Sequence, residues 1–498
     1  MTVRVGERPL AIADLVRVAR GDEAVELTTK ARERVAAARA IVERLAASSE
    51  PIYGLNSALG ANTGATLAAD DLAEYQLRAI RARAVAVGKP YDRESVRAIL
   101  FARIAGMAQG GSGVSPVVLD QLCELLNRDV IPVVPRIGSI SVADLPQLAH
   151  LALVLVGEGD ADYRGERLKG RDALVRAGLS PVSLGAKDGV ALISANAATV
   201  GRAALVVFDA LAVHDAWLMA IALSFEAFRA NLSILDARVL EARPARGQID
   251  VGATLRALLE GSALLERGAA RRVQDPLSLR VVPQVHGALH WMVGETREQI
   301  EIELNSAAES PLLVDDDTMR SNGNFHVPAL ATAIDAAALA FAQASSLAVE
   351  RCIKFMSPVF TDLPLQLTRH GPAHSGFATV QKTLAALWGE IRRLANPASL
   401  DYMPVSAGIE DHATQALAAV EKLATLVDRV RYLVAIELVI AAQALDLRGI
   451  AVASLGSGPL RAYARVREAV PMLDGDRPLG PDIDRAEALV RGGVFGRD

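Results

Sequence analysis

The residues with chemistry to offer gather in six short stretches: 52–60, 138–150, 188–196, 273–287, 321–326 and 396–412. Each puts glycines and polar groups at the end of a long apolar run. Helix ends are where side chains can converge on a site without breaking a core. Tyr53 lies in the turn-rich loop 51–64, a composition that holds no helix, and such a loop in a compact domain is often functional. Arg280 offers a planar two-pronged donor suited to a carboxylate, or else a structural ion pair. Glu410 stands before Asp411 and His412, either as a reactive carboxylate or as one at a helix start. In the stretch 135–150, small residues and turn formers run into an apolar helix. Free N–H groups there can face a ligand, and the plainer reading is a helix capped by Asp144.

Other patterns carry no site. His286 and His290 stand four apart but lack the glutamate and third ligand of a zinc motif. The run Asp315-Asp316-Asp317 reads as a solvated loop, and 109–113 lacks the lysine of a phosphate loop. No metal is expected. His370 and His374 flank a loop and receive no role.

The elements that must position these residues are helices. The chain has 498 residues, 51% hydrophobic and 4% aromatic, rich in alanine, leucine and valine. Long apolar periodicities at about 198–230, 251–266, 284–305, 329–356, 375–395 and 411–447 predict a mainly α fold with a long antiparallel bundle. The expected division is a mostly helical part over 1–200 and the bundle over 201–498. Residues 1–50 read as a small α/β entry followed by a helix that Thr28 caps, and 157–177 as a polar segment with a hairpin at Tyr163-Arg164-Gly165. Net charge is −5 with no basic tract, so nucleic acid is not an expected partner. Apolar runs are broken by charges, as at Arg431 and Glu437, so no membrane span is expected. Cys123 and Cys352 read as buried core thiols in a reducing cytoplasm. The apolar composition suggests surface buried between subunits.

The run Ile-Tyr-Gly-Leu-Asn-Ser-Ala-Leu-Gly at 52–60 resembles the tyrosine loop of the histidine and aromatic amino acid ammonia-lyases. Residues 273–288, Val-Gln-Asp-Pro-Leu-Ser-Leu-Arg-Val-Val-Pro-Gln-Val-His-Gly-Ala, are similar to that family's Gln-Asp-x-Tyr-Ser-x-Arg segment. Residues 148–159, 321–326 and 396–412 match in the same order, so the resemblance covers about 50 to 415. It implies the family's mainly α fold, a small-molecule substrate, and a homotetramer whose active sites draw on three subunits. It also implies Tyr53 as base, Arg280 as carboxylate binder, and Gln284, Asn324, Phe325 and Glu410 as site residues.

The departures from the pattern are specific. In the family an Ala-Ser-Gly tripeptide cyclises to a methylidene-imidazolone, an electrophile. Here the run is Gly138-Ser139-Ile140-Ser141-Val142-Ala143-Asp144-Leu145, one residue shorter. Anchored on Asp144, the tripeptide is Ser141-Val142-Ala143, whose middle residue has no hydroxyl to eliminate. Ser194 replaces an asparagine, although Asn196 lies two residues on, Leu277 replaces a tyrosine, and Ser310 an asparagine. Arg83 falls where relatives specific for histidine or tyrosine often carry a ring-reading histidine. The expectation is therefore a lyase-like enzyme without that group and without any cofactor, serving specialised metabolism. Tyr53 would drive elimination, isomerisation or cyclisation of a small anionic substrate, with Glu410 or Ser141 as second proton-transfer group. The alternatives are a conventional histidine or aromatic ammonia-lyase, and an inactive binding partner of an active paralogue.

Overall fold

Thr28 opens the first long helix, Thr29–Ala46, its hydroxyl accepting the N–H of Ala31 at 3.2 Å. Asp92 does the same for Arg93–Met107, accepting from Ser95 N–H at 2.9 Å. The computed structural model describes residues 2–48, 52, 54–57, 72–315 and 318–496. Its fold is mainly α. The helices used below are α1 (Leu145–Leu155), α2 (Ala197–Phe228), α3 (Val282–Leu304), α4 (Pro328–Phe355) and α5 (Ala416–Arg448). Their bounds lie close to the periodicities, except that α5 starts at Ala416, because 405–412 folds as a loop closed by the pair Val405 and Glu410.

Strands are short and peripheral. Thr2–Val5 pairs in parallel with Ala24–Leu27, forming the expected α/β entry. Asp160–Tyr163 and Glu166–Lys169 form the hairpin, with Arg164 and Gly165 both at positive φ, the geometry a two-residue turn requires. A helix over Leu72–Arg81 is followed by Val87–Pro90, a strand paired antiparallel with Pro135–Ile137.

The chain divides into two compact units rather than at a single cut near residue 200. The first holds Met1–Phe208, Thr296–Thr332 and Ala398–Glu421, and the second holds the rest. The reason is that four long helices, α2 to α5, each contribute residues to both units. In the first unit, a Cβ on Gly201 of α2 would sit 2.7 Å from the Ala98 backbone, so only glycine permits this helix contact. In the second unit, Arg351 of α4 and Glu437 of α5 form a fully buried two-pronged ion pair at 2.7 and 2.9 Å. Trp217 and Ser224 of α2 donate to the same carboxylate at 3.1 and 2.9 Å. One carboxylate thus joins three helices.

Both cysteines are buried and free, and burial pushes the Cys123 thiol up to about 12. Two helical stretches, within 188–228 and Pro328–Phe355, are long and apolar enough to cross a membrane by length and composition alone. The apolar 18-residue window of each is 72% and 61% buried inside the protein, as in core helices.

Glu437→Gln leaves the Arg351 charge buried without its counterion. It is expected to cost about 3–5 kcal/mol, read as a lowered denaturant midpoint.

Candidate active site

The segment 139–144 is held by the N-termini of two long helices. Asp144 stands at the start of α1, but its carboxylate makes no hydrogen bond to that helix. It turns instead to α2, accepting from Thr199 N–H at 2.7 Å and Thr199 Oγ1 at 3.1 Å, and from Ser139 Oγ at 2.7 Å. The expected cap of its own helix is thus a cap of another. Ser141 is fully buried, and its hydroxyl accepts the Leu417 N–H of α5 at 2.9 Å. The Ser141 carbonyl accepts from Thr414 Oγ1 at 3.1 Å, and the Ile140 carbonyl from Gln415 N–H at 3.1 Å. Each contact satisfies donors at or next to a helix start.

Between these anchors the backbone turns sharply, with Ser141 at φ 60° and Ala143 at φ 52°. Val142 bridges to the backbone of His326. Val142 and Ala143 face a cavity of about 580 Å³, whose wall also includes Arg83, Ser194, Phe325 and Glu410. Arg83 donates to the Ala79 carbonyl at 3.1 Å and forms no ion pair among the described residues. Ser194 Oγ donates to the Ser310 carbonyl at 3.3 Å. Behind the wall, Arg103 and Glu309 form a buried ion pair at 2.9 Å, and Asn322 Nδ2 donates to the Glu309 carbonyl at 3.0 Å.

The other sequence-derived residues fall elsewhere. Asn196 is buried, its side-chain amide donating to the Phe325 carbonyl. Asn324 is exposed, its N–H bound to Asn322 Oδ1 at 2.8 Å. Leu277, Arg280 and Gln284 belong to the second unit and do not line this cavity. Tyr53 lies outside the described residues. Ser141 sits behind the cavity wall, and its hydroxyl is engaged in the α5 cap, so it is no proton-transfer group for the cavity.

Sequence reasoning missed two wall residues, His326 and His412, whose rings meet at 2.7 Å. The signal was present, since each ends a motif already singled out, Ser-Asn-Gly-Asn-Phe-His and Glu-Asp-His. Among the described residues no cluster of histidine, cysteine or acidic side chains is placed to hold a metal.

Burial pushes the Asp144 carboxyl up from its ordinary 3.8 to about 6, against the hydrogen bonds from Ser139 and Thr199 that pull it down. Between those two values the folded chain keeps a proton that the unfolded chain has released. This contribution to stability is therefore full below 3.8 and lost as the pH rises through about 6. Denaturant midpoints across that window are expected to fall in the wild type, and Asp144→Asn, which cannot titrate, flattens that slope.

Residues 10–468 match the family model for aromatic amino acid lyases. The chain is 40% identical over 487 residues to a histidine ammonia-lyase of Stigmatella aurantiaca, covering 97% of this chain and 95% of that relative. Among solved structures, the ergothioneine-degrading enzyme ergothionase of Treponema denticola matches at a TM-score of 0.95 and 31% identity, covering both chains fully. Histidine ammonia-lyase of Trypanosoma cruzi matches at 0.91 and 30%, over 99% of this chain and 94% of that one.

These findings overturn two expectations. Full-length likeness to histidine ammonia-lyases points to the conventional ammonia-lyase alternative rather than to an enzyme of different reaction type. The expectation of no cofactor is corrected by the same relatives, since histidine ammonia-lyases are the enzymes of the methylidene-imidazolone. Locally, residues 141–143 do not fit that group as they stand. Val142 has no hydroxyl to lose, and Ala143 carries a Cβ at the left-handed turn where the family places glycine. No step below is routed through it. With a model match across most of its length and relatives alike from end to end, the chain belongs to the aromatic amino acid lyase family.

Proposed function

We propose that this protein is a lyase of the histidine ammonia-lyase type. It removes the α-amino group and a β-proton from histidine, or from a close imidazole-bearing amino acid, and leaves an α,β-unsaturated acid. The observation that carries this reading is the cavity at 139–144, which gathers wall residues from loops matching histidine ammonia-lyases in order along the chain.

Tyr53 takes the β-proton. A phenol near pKa 10 is a weak base at neutral pH, so the site must favour its anion. Arg280 binds the substrate carboxylate through two parallel hydrogen bonds. Glu410 takes part in the second proton transfer, Ser194 and Phe325 shape the pocket with Asn196 and Asn324 beside them, and Leu277 and Gln284, like Arg280, are supplied to it by neighbouring subunits. The active form is a homotetramer with shared sites. Supporting that, Leu400, Met403 and Ile409, beside Glu410, are 77%, 70% and 67% exposed, apolar surface of the kind a neighbouring subunit covers. Two buried free thiols suit a reducing compartment.

Arg83 favours one refinement. A half-buried cation without an acidic partner among the described residues suits a ring that carries a hydrogen-bond acceptor or a negative charge.

Incubation with histidine is expected to release ammonia and the unsaturated imidazole acid. Absence of turnover with histidine and with imidazole amino acids bearing anionic ring substituents overturns the reading. Tyr53→Phe is expected to lower kcat by about 10²-fold or more with an unchanged circular dichroism spectrum. Arg83→His is expected to shift kcat/KM toward unsubstituted histidine by about 10-fold or more, the scale of one pocket contact.

A further inference from the structure

His326 and His412 come from loops 86 residues apart and meet in the cavity wall. Their Nε2 and Nδ1 atoms lie 2.7 Å apart, and the ring planes tilt by 53°. The inner partner is fixed by its backbone. His326 N–H donates to the Gly323 carbonyl at 2.9 Å, and the residue bridges to Val142. Phe325 stands edge-on to its ring, with centroids 6.2 Å apart. His412 is the more exposed partner, flanked by the Tyr402 ring at 5.0 Å.

A nitrogen-to-nitrogen hydrogen bond needs one ring to donate and the other to accept. A second added proton would set two cations at hydrogen-bond distance, so the pair takes up one proton as a unit. Burial and the neighbouring His412 both push His326 below its ordinary 6.5. The other charged or titratable groups in this wall are Glu410, Asp411 and Arg83, with Tyr402 against the His412 ring.

We propose that His326 and His412 act as one proton-carrying pair that protonates the departing amine and reloads from solvent through His412. This rests on the lyase reading above. As the Cβ–H bond breaks, its proton goes to the enzyme's base and its electron pair forms the new double bond. The Cα–N bond breaks with its electrons leaving on nitrogen. A neutral amine cannot leave as an anion, so the nitrogen takes a proton from His326. His412 refills His326, and the proton on the base returns to solvent.

Two measurements test the pair. The first needs no turnover. In the free protein with nitrogen-15-labelled histidine, assigned through His326→Gln and His412→Asn, the two rings are expected to shift together on uptake of one shared proton. Two independent titrations overturn the pair. The second is the pH profile of kcat/KM with histidine. His412→Asn keeps a polar group near Nδ1 and His326→Gln keeps one near Nε2, so a merely structural contact survives in both. Each variant is expected to lose about 10²-fold together with the ionisation belonging to the pair, and added imidazole is expected to restore part of the His412→Asn rate. Wild-type rates and an unshifted profile in both variants overturn the catalytic role. A wild type that leaves histidine untouched overturns the lyase reading instead, and the ring titration then decides the pair by itself.

Discussion

The capping of two long helices by one short segment is the constraint on which the site depends. A helix start leaves four N–H groups unsatisfied, and a buried start must find acceptors for them. Asp144 supplies acceptors to α2, and Ser141 supplies one to α5. The two residues stand three positions apart, so the start of α2, the start of α5 and the start of α1 are tied to the same turn. Each cap is worth about 1 kcal/mol in isolation. Together they hold Val142 and Ala143 against the cavity without those two residues making side-chain bonds of their own.

That arrangement separates the shape of the loop from its chemistry. The sharp turn persists with Ser141 and Ala143 at positive φ, where an L residue costs of order 1 kcal/mol. Glycine would adopt that turn freely, so here neighbouring contacts hold what glycine holds elsewhere. The side chain at 142 can therefore change while the backbone around it stays in place. The bridge from Val142 to His326 passes the same rigidity to the second loop, and the Arg103–Glu309 ion pair supports the wall from behind.

Much of this was legible from residue order. The helix periodicities locate α2 to α5 because apolar stripes at helical spacing must be buried, and alanine-rich faces allow close contacts such as Gly201 against Ala98. Ser194, Phe325 and Glu410 lie in polar, glycine-bearing stretches beside such stripes, and the family resemblance is what singles them out, with Arg83, as site residues. His326 and His412 were missed because neither has a local partner. Their contact spans 86 residues, and nothing in either motif states that the two loops meet. The single cut at 200 misjudged the units because helices of 23 to 33 residues outlast any one compact unit.

By itself, the order of residues determined the element types, the family resemblance, and the fact that position 142 carries no hydroxyl, because these are properties of local pattern and side-chain identity. Only the tertiary structure decided what the polar residues of the 139–144 turn are for. Asp144 reads locally as the cap of the helix it precedes, and Ser141 as a free hydroxyl in a loop. In three dimensions both are claimed by helix starts that lie 55 and 276 residues further along the chain, because buried N–H groups take the nearest acceptor in space rather than in sequence.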